Sequence, residues 1–223
     1  MMIKLYNKDF FAEDIPYTFD LAIVDPPYGV GYVDKAGNSG YVDKGADFVR
    51  LAEKLYNLMN DNSWVLVFTS FMRYCDVRRA FEQYFSYRQD IIWYRPNLAR
   101  GTKHASTIFT NVHETVMVFS KGKPGRPNKV EGRNNTDILK YATPQSNFKK
   151  DKRIHPNQKA FGLIEHLVLA FSNEGDWVID PFAGSGVTGK VCKLHNRNFV
   201  GYEINEIFYK KAVENIGIEI EQC

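Results

Sequence analysis

Short apolar runs of strand length, separated by stretches of helical periodicity, limit what this chain can become more than any other feature. The runs are LAIVD (21–25), SWVLVF (63–68), DIIWY (90–94), TVMVF (115–119), DWVID (176–180) and NFVGYE (198–203). Among them, FVRLAEKLYNLM (48–59), MRYCDVRRAFEQYF (72–85), KAFGLIEHLVLAF (159–171) and NEIFYKKAVENI (205–216) repeat apolar residues every three or four positions. Strands that alternate with helices pair largely in parallel and are covered on both faces. The expected fold is therefore α/β, a doubly wound, mostly parallel sheet. At 223 residues the chain suits a single domain over 1–223.

The stretch 121–153 breaks this pattern. It is polar, rich in Gly and Pro at its start, and has one weak apolar patch around Ile138, Leu139 and Tyr141. It holds ten cations against three anions, a net +7, so the chain's total of +3 leaves −4 for the remainder. A mildly acidic body carrying a basic insert suits a polyanionic partner. The candidate contacts are Lys121, Lys123, Arg126, Lys129 and Arg133, joined by Arg95, Arg100 and Lys103 from the loop between the third and fourth runs. A solvated loop that is basic without purpose is the competing reading.

Cys75, Cys192 and Cys223 are far apart, form no CxxC pair and are not spaced as metal ligands, so no metal site is expected. The apolar runs are too short to span a membrane and the first residues lack a signal-peptide core, which leads to the expectation of a cytoplasmic protein with no membrane partner.

Asp25, Asp180 and Glu203 each close an apolar run. Parallel strands end on one edge of the sheet, where open α/β sheets bind ligands, so the three carboxylates should meet in a cleft. Each could instead cap the following helix. After Asp180 comes PFAGSGVTGK, a turn whose glycines allow a ligand close to the backbone at the start of a helix. Gly184, Gly186 and Gly189 satisfy GxGxxG with Glu203 downstream, which taken alone reads as a nicotinamide site and an NAD-dependent oxidoreductase.

DPPY (25–28), DPFAGSG (180–186) and HPNQK (155–159) together resemble the amino-group DNA methyltransferases that use S-adenosylmethionine, over nearly the whole chain. The resemblance implies a Rossmann-like catalytic domain in which 121–153 is the target-recognition segment. Because DPPY precedes the glycine turn, the order is similar to that of the permuted β group. It implies that Asp180, Phe182, Ala183, Gly184, Ser185 and Gly186 surround the methionine end of the cofactor, and that Glu203, followed by Ile204, binds the ribose. Asp9 would reach the cofactor adenine, and Asn157, Gln158 and Lys159 its methionine carboxylate. Trp93 and Tyr94 resemble the segment that walls the target base, or are plain core and rim residues. Two departures stand out, Val187–Thr188 where a threonine pair is usual and Ala160 where a proline is common.

The DPPY stretch has a chemical rationale. An exocyclic amino group is a weak nucleophile because its lone pair is delocalised into the ring. Two acceptors, the Asp25 carboxylate and the Pro26 carbonyl, would favour a tetrahedral nitrogen and its developing positive charge. Pro26 and Pro27 fix the turn, and Tyr28 supplies a stacking surface. The implied activity is methylation of adenine N6 in a specific DNA sequence by base flipping, with cytosine N4 as the alternative. A nucleic-acid-binding module without catalysis, and RNA or protein-amide substrates, are the remaining readings. The implied partner is double-stranded DNA, with a homodimer and a restriction nuclease as open options; recognition is either short, assisted by the 95–108 loop, or completed by a second subunit.

Overall fold

The computed structural model describes residues 1–28, 45–98, 109–147 and 153–219. Eight strands form one sheet: β1 (Ile3–Tyr6), β2 (Phe19–Val24), β3 (Met59–Thr69), β4 (Ser86–Tyr94), β5 (His113–Lys121), β6 (Ile138–Lys140), β7 (Trp177–Asp180) and β8 (Asn198–Tyr202). Their order is β1-β8-β7-β2-β3-β5-β4-β6. All neighbours pair in parallel except β5, which runs against both β3 and β4.

Among the described residues, five helices cover the sheet: α1 (Phe48–Leu58), α2 (Tyr74–Phe81), α3 (Phe161–Phe171), α4 (Val187–Leu194) and α5 (Glu206–Ile216). Successive strand side chains face opposite ways, and the core divides accordingly. Leu21, Ile23, Leu66, Phe68, Val116 and Val118 pack with residues of α3, α4 and α5. Ala22, Val24, Val65, Val67, Met117 and Phe119 pack on the other side with α1 and α2. Both faces being buried explains why these runs are apolar throughout. Leu66 has no exposed surface. Leu66→Ala should cost about 2–5 kcal/mol of folding free energy, measurable as a lower urea midpoint.

Local signals set the start of α1 and both ends of α5. The Asp47 carboxylate accepts from Arg50 N–H at 3.1 Å to open α1, and Asn205 caps α5, which ends at Gly217 with φ +70°. The periodic stretch 72–85 is helical only over Tyr74–Phe81, preceded by a 3₁₀ turn at Phe71–Arg73.

The described part of the basic segment packs onto the fold. Ile138–Lys140 pairs with β4 as an edge strand, and Val130 and Leu139 are buried in the core. Asn128 donates to the Leu169 and Ser172 carbonyls, Arg133 pairs with Glu165, and His166 meets Asn135 and Tyr141. This strap covers the outer side of α3, and it accounts for a helix that is apolar nearly all round, with His166 and Phe171 both buried.

Candidate active site

The parallel strands deliver Asp25, Thr69, Asp180 and Glu203 to one edge, directly after β2 or β8 or at the ends of β3 and β7. Because β5 is reversed, it starts rather than ends there, which adds His113 and Glu114. The loops above this edge enclose a cleft of about 750 Å³, lined by Asp25, Pro26, Pro27, Tyr28, Asp180, the 182–185 turn and Glu203 among others. The acids that close β2, β7 and β8 thus share one cavity.

In the DPPY turn, the Asp25 side chain is 22% exposed. Its Oδ1 accepts from the Tyr28 hydroxyl at 3.0 Å and its Oδ2 lies 2.8 Å from Lys159 Nζ. Burial raises the Asp25 carboxyl above the ordinary carboxylate range, against the lowering influence of Lys159. The backbone of the turn is tied down: Pro27 O accepts from Ala46 N–H and Tyr28 O from Arg73 Nε, each at 2.9 Å. Among the described residues no hydrogen bond reaches the Pro26 carbonyl. Tyr28 is half-buried on the cleft wall.

The glycine turn is braced from both sides. Gly184 and Gly186 have φ of +50° and +73°, where any other residue would be strained. A side chain at 186 would also meet Ala212 at 3.0 Å. Gly184 N–H donates to Glu203 Oε2 at 3.0 Å and Asn205 N–H to Oε1 at 2.8 Å, which leaves each carboxylate oxygen a further lone pair. Burial pushes the Glu203 carboxyl up to about 7, despite those two donors. Asp180 is also raised by burial to about 7. Its oxygens hold the turn itself, accepting from Phe182 N–H at 3.1 Å and the Thr188 hydroxyl at 2.6 Å, so Asp180 is a brace for the cradle more than a ligand contact. Phe182, Ala183 and Ser185 line the cleft beside it, as does Ile204, which is exposed.

Asp9 is exposed at the cleft margin and caps the 3₁₀ turn Phe10–Ala12, its carboxylate accepting from Phe11 N–H at 2.9 Å. Of HPNQK, Asn157 is exposed at the cleft, while Gln158 Oε1 accepts from Ile154 N–H at 2.8 Å and so serves its own loop. His155 stands edge-on to Phe208, with ring centroids 4.2 Å apart. Lys159, expected at the methionine carboxylate, has its neighbours in the strand-end acids. Its ammonium lies between Asp25 and Glu114, at 2.8 and 3.0 Å, where two carboxylates already surround it. Trp93 is 1% exposed and donates to Tyr141 O at 2.8 Å, a core residue that also reaches the cleft.

The expected DNA contacts are dispersed. Arg95 points inward, pairing with Glu114 at 2.6 Å and donating to His113 O at 3.0 Å. Lys121 donates to the Tyr56 and Met59 carbonyls at 3.0 and 2.8 Å. Being six residues beyond Thr115 on β5, it stands about 20 Å from the cleft edge, at the opposite end of the sheet. Lys123 follows it there, its N–H donating to Asn62 Oδ1. Arg133 is spent on Glu165 and the Gly162 carbonyl. Arg126 and Lys129 are exposed on the strap, and Arg100 and Lys103 lie outside the described residues. Arg95, Lys121 and Arg133 are thus each engaged by partners within the chain. Glu114 and the inward role of Arg95 were not anticipated, since HETVMVF gives no sign of its direction in the sheet.

Among the described residues no helix is long and apolar enough to cross a membrane, and no cluster of three or more His, Cys, Asp or Glu could hold a metal.

The model of a family described as DNA methylase, covering the N6 and N4 enzymes, matches residues 19–214. The type II methyltransferase M.HpaI of Haemophilus parainfluenzae is 28% identical across 91% of this chain and 69% of its own length. M2.DpnII of Streptococcus pneumoniae is 28% identical across 95% of this chain and 87% of its own. The structure of M1.HpyAVI in complex with SAM is similar at a TM-score of 0.78 and 25% identity, covering 97% of this chain and 100% of that one. The cytosine-N4-specific PvuII DNA methyltransferase shares the fold at 0.74 and 18%, over 98% of this chain and 87% of that one.

Proposed function

Since the chain belongs to the N6/N4 family of DNA methylases, we propose that it methylates adenine N6 within a specific DNA sequence, using S-adenosylmethionine and a base turned out of the duplex. The observation that carries this reading is the cleft itself, where the Asp25–Tyr28 turn faces the glycine cradle and Glu203 within one cavity. The cavity is in the size range of small-molecule sites, and the positive-φ turn lets a ligand lie against backbone. M1.HpyAVI, at 25% identity, is described in complex with SAM.

Glu203, with Ile204 beside it, would hold the ribose, the 182–186 turn the methionine end, and Asp9 the adenine of that cofactor. Bound there, S-adenosylmethionine supplies a methyl group activated by a sulfonium. The chain's own residues do the rest by positioning. Asp25 and the Pro26 carbonyl accept the two N–H bonds of the target amino group, drawing its nitrogen toward tetrahedral geometry and stabilising the charge that grows on it. The Tyr28 ring stacks on the base. Stacking contributes about 1–3 kcal/mol per base, which offsets much of the few kcal/mol needed to extrude it.

An aspartate in the first position of DPPY favours adenine, because the cytosine-directed enzymes of the family more often carry serine there. The order of the motifs, DPPY on β2 before the glycine turn after β7, supports membership of the permuted β group. Incubation with labelled cofactor and duplex DNA, followed by nucleoside analysis, should give N6-methyladenine. Label found only in N4-methylcytosine would overturn the adenine assignment, and label in neither base would overturn the reading altogether.

The described candidate cations lie at both ends of the sheet, so a short recognition surface fits better than a large one. We infer that the rim of the cleft meets the duplex, where Phe71 and Met72 stand 91% and 77% exposed beside the mouth. Phe71→Ala should weaken duplex binding severalfold in a fluorescence anisotropy titration while leaving cofactor affinity unchanged.

A further inference from the structure

Four charged side chains from four segments form a row beneath the base-facing end of the cleft. Arg95 follows β4, Glu114 lies on β5, Lys159 precedes α3 and Asp25 follows β2. Arg95 Nη1 is 2.6 Å from Glu114 Oε1, Glu114 Oε2 is 3.0 Å from Lys159 Nζ, and Lys159 Nζ is 2.8 Å from Asp25 Oδ2. The signs alternate and the row is neutral. The lysine side chain is 10% exposed, with its ammonium 4.9 Å from the Phe68 ring centroid.

We propose that Lys159 is a positioning residue for the Asp25 carboxylate, and that Glu114 and Arg95 hold that lysine in place and set how strongly it acts. The inference rests on the reading of Asp25 given above. It concerns how that carboxylate is kept able to accept a hydrogen bond where burial favours its protonated form.

The geometry supports it in two ways. First, Tyr28 donates to Oδ1 and Lys159 to Oδ2, so each oxygen is gripped by one donor and retains a lone pair, and the plane of the carboxylate is fixed. Second, a buried carboxylate without a cation takes up a proton, and a protonated acid would present a donor to the amino group it must accept from. The groups facing Asp25 are Lys159, Glu114, Tyr28 and, more distantly, Asp180. Burial and the Glu114 charge push Asp25 up while Lys159 pulls it down. Burial would lower Lys159, but Asp25 and Glu114 outweigh it and bring the ammonium up to about 12, so the lysine stays charged. Glu114, flanked by Lys159 and Arg95, is held below its usual value despite burial.

Opposite shifts follow from removing the two neighbours. In single-turnover methylation followed from pH 5 to 9, Lys159→Met should move the acid limb upward by about one pH unit or more and lower the plateau rate. Lys159→Arg should restore the limb. Glu114→Gln keeps the shape but deletes a repelling charge, and should move the limb downward. A merely structural role for the row predicts slower turnover with an unmoved limb in both variants, and that result would overturn the proposal. If Lys159→Met does not fold, judged by its thermal transition, the direction of the Glu114→Gln shift decides alone. Should Asp25→Ala retain full activity, the catalytic reading fails instead, an outcome distinct from unmoved limbs in an enzyme that needs Asp25.

Discussion

Asp25→Ala is expected to reduce the methyl-transfer rate at least about a hundredfold, with cofactor affinity and the thermal transition little changed. The size follows from what the carboxylate does: removing one preorganised partner of a developing charge typically costs a factor of about 10²–10³. The fold should tolerate the change because Lys159, which would otherwise be a stranded buried cation, keeps Glu114 at 3.0 Å. Tyr28 loses its acceptor at 3.0 Å but remains half-buried, where water can replace it. Asp25→Asn is the sharper control, since it keeps the shape while exchanging a charged acceptor for a neutral one, and should fall between wild type and alanine. The measurement is a single-turnover rate with saturating DNA and cofactor, alongside calorimetric affinity for S-adenosylhomocysteine. A rate within a few-fold of wild type for the alanine variant would end the proposed role of the DPPY turn.

Glu203→Ala should weaken S-adenosylmethionine binding by about tenfold to a hundredfold, the loss expected when hydrogen bonds to a charged acceptor worth about 1.5–3 kcal/mol disappear. The accompanying pH dependence has a definite sign. Burial places the Glu203 carboxyl at about 7, so below neutrality the free protein holds a proton there. Ribose hydroxyls donate, and they need the ionised acceptor. Binding must then release the proton, and affinity falls as the pH drops, approaching tenfold per unit below about 7. Asp180, also near 7, adds a smaller dependence because its oxygens serve Thr188 and Phe182. The alanine variant should lose the larger part of this slope. Calorimetry at pH 5.5, 6.5 and 7.5 checks it, and an unchanged affinity and slope would remove Glu203 from the ribose role. Because Gly184 N–H and Asn205 N–H both donate to this carboxylate, some loosening of the glycine turn is part of the expected effect.

The local pattern was enough to find the strands that carry the acids. LAIVD, DWVID and NFVGYE become β2, β7 and β8 within a residue or two at each end, because a buried strand of a covered sheet needs an unbroken apolar run and stops where a charge must reach solvent or a ligand. The same holds for the cradle. The glycines at 184 and 186 marked a turn open to a ligand at the backbone, and the structure adds that both have positive φ. Helix α2 was overextended because periodicity continues past the point where tertiary packing supports it, and β6 was missed because three residues in a polar stretch carry no periodic signal.

What the sequence determined by itself was the set of residues with chemistry to offer and the strand ends on which they sit, since turns, apolar runs and glycine requirements are properties of a few neighbouring residues. Only the tertiary structure decided who meets whom. The hairpin return that reverses β5 between β3 and β4 carries Glu114 to the cleft edge and sends Lys121 to the far one, although both belong to the same strand. The strap over α3 consumes Arg133, and the fold brings Lys159 beside Asp25. Direction and pairing in a sheet depend on where a distant part of the chain comes back, which no short window of sequence contains.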